Sequence, residues 1–96
     1  MNGLQPWLRP YAAWLLGNFP SLKVTSVFRS LTDQMRLYRN RARNPYPVLP
    51  PGYSKHQYGL AWDMTGDRSL LEQAGRMWRR MGGRWGGATD PIHFEV

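Results

Sequence analysis

His56, Asp63, Asp90 and His93 fall in two short blocks, Ser54-Lys55-His56-Gln57-Tyr58-Gly59-Leu60-Ala61-Trp62-Asp63 and Asp90-Pro91-Ile92-His93-Phe94-Glu95. Both histidines of the chain lie in these blocks, with three of its six carboxylates. Two imidazoles and one carboxylate are a common ligand set for a catalytic zinc that keeps a fourth position open for water. A further carboxylate beside that water can take its proton. The reaction type this combination points to is hydrolysis. The chain has no cysteine, which excludes disulfides and thiolate ligands, so a zinc site has to use the two histidines and a carboxylate. Asp63 or another carboxylate can be the third ligand on these grounds.

The elements that must position these residues can be read from periodicity. Residues 4–18 are predicted as a helix, with Pro6 in its first turn, Leu4, Leu8, Tyr11 or Ala12, and Leu15 on one face, and Gly17-Asn18-Phe19-Pro20 as its stop. Residues 22–28 alternate and are β-branched, which predicts a strand ending at Arg29. Ser30 to Asp33 resembles a capping box and opens a helix to about residue 42. Leu31, Met35, Tyr38 and Ala42 are its expected buried face. Arg36, Arg39, Arg41 and Arg43 lie mostly off that face, as a solvated surface or a contact for an acidic polymer. Four prolines in residues 44–53 forbid helix and central strand and predict a stiff loop that walls one side of the site and leads into His56.

Residues 59–64 are predicted as a second strand, with Leu60, Trp62 and Met64 towards the core. Asp63 shares the opposite face with the small residues Gly59 and Ala61, which leaves room for a metal and a substrate. Thr65-Gly66-Asp67 caps a helix over roughly 68–81, with Leu70, Leu71, Ala74, Met77, Trp78 and Met81 buried. Gly82 to Gly87 lacks the spacing of a phosphate-binding loop and reads as a turn and short strand that brings Trp85 towards the site. In the last strand, 92–96, Ile92, Phe94 and Val96 face the core while His93 and Glu95 face the other way. If this strand neighbours 59–64, the ligands converge from rigid elements. Asp90 belongs to the turn before Pro91 and can swing towards the activated water; an ordinary turn aspartate is the alternative. Glu95 either orients a ligand imidazole or pairs with an arginine. Arg29, at a strand end, can stabilise the oxyanion that hydrolysis creates, though sequence alone does not single it out among eleven arginines.

With these residues in order, the chain resembles the zinc D-alanyl-D-alanine carboxypeptidase family, which includes VanY- and VanX-type peptidases and phage L-alanyl-D-glutamate endolysins. The family pattern Ser-x-His-x-x-Gly-x-Ala-x-Asp is matched by Ser54, His56, Gly59, Ala61 and Asp63. Its acidic residue three before a His-Phe-Glu is matched by Asp90, His93, Phe94 and Glu95. Upstream, Phe28-Arg29-Ser30, Gln34 and Leu37-Tyr38 match a Tyr-Arg-Ser, Gln and Leu-Tyr series, with Phe28 in place of the tyrosine. The resemblance covers residues 24–96. It implies one zinc per chain held by His56, Asp63 and His93, Asp90 as general base, and Arg29 as the residue binding the developing oxyanion. Ser54 and Gln34 are implied to support the site or the substrate. The implied fold is a small α+β domain, an antiparallel sheet packed with helices, shared with the hedgehog signalling domain. The implied activity is hydrolysis of a bond involving a D-residue in the stem peptide of peptidoglycan.

Ninety-six residues suit one domain, so a single peptidase domain over 1–96, with no separate wall-binding module, is expected, and a monomer. Thirteen basic against six acidic residues give +7, a charge that fits either a solvated surface or an anionic partner such as nucleic acid or cell wall. No basic-aromatic interleaving forms a recognisable nucleic-acid module, and no nucleic acid is expected as a partner. Neither a signal peptide nor a run of roughly 20 apolar residues is visible. The expectation is synthesis in the cytoplasm and action on the cell wall, after release as a phage-type lysin or export by other means. A non-catalytic peptidoglycan-binding module of the same fold is the alternative reading.

Overall fold

Alternation in the two longest strands decides the layout. In the computed structural model, which describes residues 1–96, the elements run α1 (Arg9–Asn18), β1 (Lys23–Ser26), α2 (Leu31–Arg39), β2 (Ala61–Thr65), α3 (Arg68–Arg80), β3 (Arg84–Gly86) and β4 (Asp90–Glu95). Short 3-10 turns cover Arg41–Arg43 and Lys55–Tyr58. The strands form one antiparallel sheet in the order β1-β2-β4-β3, the α+β architecture expected from the sequence. Trp62, Met64 and Phe94 project from one face of the sheet into a core completed by Leu4, Leu8, Ala12 and Leu15 from the N-terminal segment and Leu71, Ala74 and Trp78 from α3. Trp62 stacks on Phe94, centroids 5.7 Å apart, and meets Trp78 edge-on at 5.0 Å. Such aromatic pairs add directional packing to the burial of apolar area. By alternation the other face of β2 and β4 carries Asp63, His93 and Glu95.

β2 and β4 are direct neighbours, and Asp63 lies opposite His93 in register. The predicted strand over 59–64 begins later, at Ala61, because Gly59 ends the Lys55–Tyr58 turn in the left-handed conformation, φ 67°. A Cβ at Gly59 would stand 2.7 Å from the Gly3 carbonyl oxygen, so both conformation and space call for glycine. α3 forms nearly as predicted. Asp67 caps it by accepting from the backbone N–H groups of Ser69 and Leu70, and only Met81, beyond the last turn, is exposed rather than buried.

Other expectations need correction. α1 starts at Arg9, not residue 4, and Pro10 rather than Pro6 occupies its first turn; Leu4 and Leu8 reach the core from turns. β1 spans four residues, Lys23–Ser26, with an irregularity between Val24 and Ser26, and the chain leaves the sheet before Arg29. α2 is rotated from its predicted setting. Leu31 and Met35 are 57% and 45% exposed, while Gln34 is 1% exposed. The inner face of α2 meets a polar cavity and the proline-rich loop, not the apolar core, so the most buried position carries an amide. Ser30 caps α2 by accepting from Asp33 N–H at 3.1 Å, half of the predicted capping box.

Asp90 is not in a turn but opens β4, paired with Gly86 across a register shift. This bulge lets Asp90 and His93 reach the same cavity although they are three apart in sequence. A Cβ on Gly86 would stand 2.1 Å from the Asp90 carbonyl oxygen. Gly86→Ala is therefore expected to destabilise the fold by about 1–3 kcal/mol and to displace Asp90. Thermal melts of the two proteins check this, and an unchanged melting temperature would refute the steric argument.

Candidate active site

The site is a cavity of about 260 Å³ on the face of the sheet opposite the aromatic core. Arg29, Gln34, Ser54, His56, Asp63, Asp90, His93 and Glu95 all line it, together with Tyr46, Pro47, Val48 and Leu49 of the proline-rich loop. The loop is the wall that its prolines predict. Of the expected site residues only Trp85 lies elsewhere. It pairs with Phe94 on the core face, packs over Gly75 of α3, and donates its indole N–H to Pro91 O at 2.7 Å. Strand parity sends it to the core, where it fixes the backbone beside Asp90.

His56 is 2% exposed and held at its far nitrogen. Nδ1 lies 2.6 Å from the Val27 carbonyl. A carbonyl only accepts, so Nδ1 carries a proton and Nε2 is the nitrogen turned into the site. Nε2 faces Asp63 Oδ1 at 3.3 Å. His93 is held in the same manner from the other side: Nε2 lies 2.8 Å from Glu95 Oε1, and Nδ1 lies 3.3 Å from Asp63 Oδ1. Of the two partners expected for Glu95, the structure places it against an imidazole and not an arginine. One ligand atom from each of His56, Asp63 and His93 lies within 4.8 Å of the others. Acceptors that converge on one carboxylate oxygen repel one another unless a cation or proton lies among them. The residues therefore fit a dication with nitrogen and oxygen ligands, of which zinc is the commonest match to this donor set.

The remaining side chains brace this cluster. Arg29 Nη2 donates to Asp63 Oδ2 at 2.9 Å, and its backbone N–H donates to His56 O at 3.1 Å. Gln34 Oε1 accepts from Arg29 Nη1 at 3.4 Å while Gln34 Nε2 donates to Leu49 O at 2.7 Å. Gln34 thereby ties the arginine to the loop. Ser54 Oγ accepts from His56 N–H at 3.3 Å and caps the turn that carries the histidine. Asp90 lies across the cavity with Oδ1 buried and unpartnered.

Charges set the proton affinities. Burial alone would raise the Asp63 pKa, but hydrogen bonding and charge from His56 and His93 outweigh it and hold the carboxyl well below its ordinary value. Burial raises the Asp90 pKa and the Asp63 charge adds to the rise, against partial relief from His93, His56 and Arg29. Burial lowers that of His93, yet its bonds to Asp63 and Glu95 leave it above the ordinary 6.5.

Residues 16–82 match the family model described as VanY D-alanyl-D-alanine carboxypeptidase, more than half of the chain. The chain belongs to that family. Asp90, His93 and Glu95 lie beyond the VanY match, and the fold brings them to the same cavity. No curated protein sequence matches significantly. Among solved structures, the VanY D,D-pentapeptidase of a VanB-type resistance cassette, in complex with Zn(II), superposes with a TM-score of 0.75 at 19% identity, over 97% of this chain and 72% of that one. The D,D-dipeptidase VanXYg, bound to a D-Ala-D-Ala phosphinate analogue, gives 0.76 at 18% identity over 97% and 50%. The Serratia marcescens L-Ala D-Glu endopeptidase ChiX gives 0.71 at 21% identity over 98% and 80%. The chain thus spans half the length of VanXYg. These likenesses confirm the VanY-like fold.

His93 and Asp90 make the metal-free protein pH-sensitive. Each has its pKa raised on folding, so each stabilises the fold fully below its unfolded value and loses that contribution as pH rises through its folded value. Asp63 works in the opposite direction, but its depressed pKa places that loss at strongly acid pH. Without metal, the melting temperature should fall as pH rises through the raised Asp90 range and, above about 6.5, through that of His93. Zinc affinity should rise over the same range, by up to about tenfold per pH unit, because the ion displaces the His93 Nδ1 proton. Chelator competition at several pH values, with parallel melts of chelator-treated protein, measures both; a pH-independent affinity would contradict the ligand assignment.

Proposed function

We propose that residues 1–96 form one zinc peptidase domain that hydrolyses a bond involving a D-amino acid in peptidoglycan stem peptides. The observation that carries this reading is the convergence of His56 Nε2 and His93 Nδ1 on Asp63 Oδ1, each imidazole fixed from behind by an acceptor. The substrate class follows from membership of the VanY family and from the D-Ala-D-Ala analogue held by VanXYg. His56, Asp63 and His93 would hold one zinc. When bound, zinc supplies Lewis acidity, which eases ionisation of a water and polarises a carbonyl.

The side chains around it do the rest. Asp90 accepts the proton of the attacking water. Its raised pKa makes it a stronger base than an exposed aspartate, and its unpartnered Oδ1 is free to accept. Arg29 uses one N–H on Asp63 and one on Gln34, and others of its five donors remain for the oxyanion that forms on the attacked carbonyl. Glu95 keeps the His93 ring in register, and Ser54 and Gln34 hold the turn and the arginine. The proline-rich wall gives the substrate channel a stiff side. No helix is long and apolar enough to cross a membrane, and we place the reaction at the cell wall, with the protein acting as a monomer.

Asp90→Ala is expected to keep about one zinc per chain and to lower turnover by about 10²–10⁴-fold. Elemental analysis reads the metal, and mass spectrometry of muropeptides treated with the zinc-loaded protein reads the cleaved bond. Zinc binding with no released fragment from the wild-type protein would replace this reading with that of a wall-binding module. Failure to bind zinc would remove both the site and the mechanism.

A further inference from the structure

A second polar hollow adjoins the catalytic cavity. It encloses about 270 Å³ and is lined by Arg36, Leu37, Asn40, Arg43 and Asn44. Leu37 and Asn44 line both spaces, so the two adjoin at these side chains. Arg36 and Asn40 stand one turn apart on the same side of α2 and its C-terminal cap, and Arg43 ends the 3-10 turn that follows.

The donors here are unusually uncompensated. The stretch 36–43 contains four arginines and no acidic residue. Asp33 reaches Arg36 only at 3.7 Å, with both side chains more than half exposed, a pair that contributes little. Arg41 is committed elsewhere, stacked on the Tyr38 ring and donating to Tyr38 O. Arg43 makes no ion pair and no side-chain hydrogen bond. Asn44 Oδ1 accepts from Tyr46 N–H, which leaves its amide NH₂ as a donor. Two guanidinium groups and an amide donor, with no carboxylate among the lining residues, are the chemistry that recognises a carboxylate.

We infer that this hollow is a substrate subsite for a free carboxylate carried by the stem peptide away from the scissile bond, and that the enzyme discriminates against substrates in which that group is a carboxamide. The inference rests on the peptidase reading for its substrate but not for its binding chemistry. Arg36 and Arg43 are absent from the cavity that holds His56, Asp63, Asp90 and His93, and they act on substrate affinity without touching the reacting atoms.

Two synthetic stem-peptide analogues, identical except for a free glutamyl carboxylate or its carboxamide, test it. The wild-type zinc protein should cleave the acid with a kcat/KM about fivefold higher, chiefly through KM, and the difference should shrink at high salt. The double variant Arg36→Gln, Arg43→Gln should lose the preference and keep the wild-type rate on the carboxamide. Equal rates for the two analogues, or a preference that survives the double substitution, would overturn the subsite. Fluorescence anisotropy of the labelled analogues on metal-free protein reads the subsite without turnover. Tighter binding of the acid, abolished in the double variant, supports it even if neither analogue is cleaved, in which case only the peptidase reading falls; equal binding of the two overturns it.

Discussion

The Asp63 carboxylate is the constraint on which the site depends. It is 7% exposed, one oxygen facing two imidazoles and the other bound by Arg29. A buried carboxylate is costly unless its charge is met, and here the surroundings meet it from three directions. The Val27 carbonyl turns His56 towards it, Glu95 turns His93 towards it, and Gln34 steadies the arginine. Each supporting group comes from a different segment: the end of β1, the last residue of β4, and the buried side of α2. Asp63 therefore links the candidate ligand set to the packing of the whole domain, and a dication would add attraction to a geometry that is already assembled.

The sheet makes that assembly possible in so short a chain. Its core face is filled by Trp62, Phe94, Trp78 and Trp85, rings that supply much buried area from few residues. The opposite face of the same two strands is then free to be polar. Because Trp62 and Asp63 are consecutive, as are His93 and Phe94, aromatic packing on one side fixes the ligand backbone on the other. Rigidity at the candidate metal site is a consequence of the core.

Much of this was legible in the sequence because it follows from short-range rules. Period-2 alternation put Asp63, His93 and Glu95 on one face, the Asp67 cap and apolar stripe defined α3, and four prolines marked the wall. What escaped depended on partners distant in the chain. Alternation cannot foresee a bulge, so it reads Asp90 as part of a turn, although Gly86 in a glycine-rich stretch is a signal that backbone approaches closely there. Trp85 was drawn towards the site by its neighbourhood, whereas its pairing with Phe94 commits it to the core. The strand-end position makes Arg29 a candidate, but only resemblance to a family singles it out among eleven arginines and points to Gln34; their own spacing does neither.

α2 shows most clearly why periodicity misleads at a functional surface. The expected stripe Leu31, Met35, Tyr38 and Ala42 assumes that a helix turns its apolar side inward. That holds when what lies inside is a hydrophobic core. α2 instead lines the polar cavity with Gln34 and Leu37, where Arg29 and the Leu49 carbonyl need partners. Gln34 can donate to one and accept from the other, which no apolar residue at that position could do. The energetic demand to satisfy buried polar groups outweighs the gain from burying Leu31 and Met35, and the helix is set by its amide. The same setting places Leu37 at the rim of the cavity, and Leu37 and Asn44 also line the hollow that holds Arg36 and Arg43, so part of the arginine-rich side of this segment borders the candidate site.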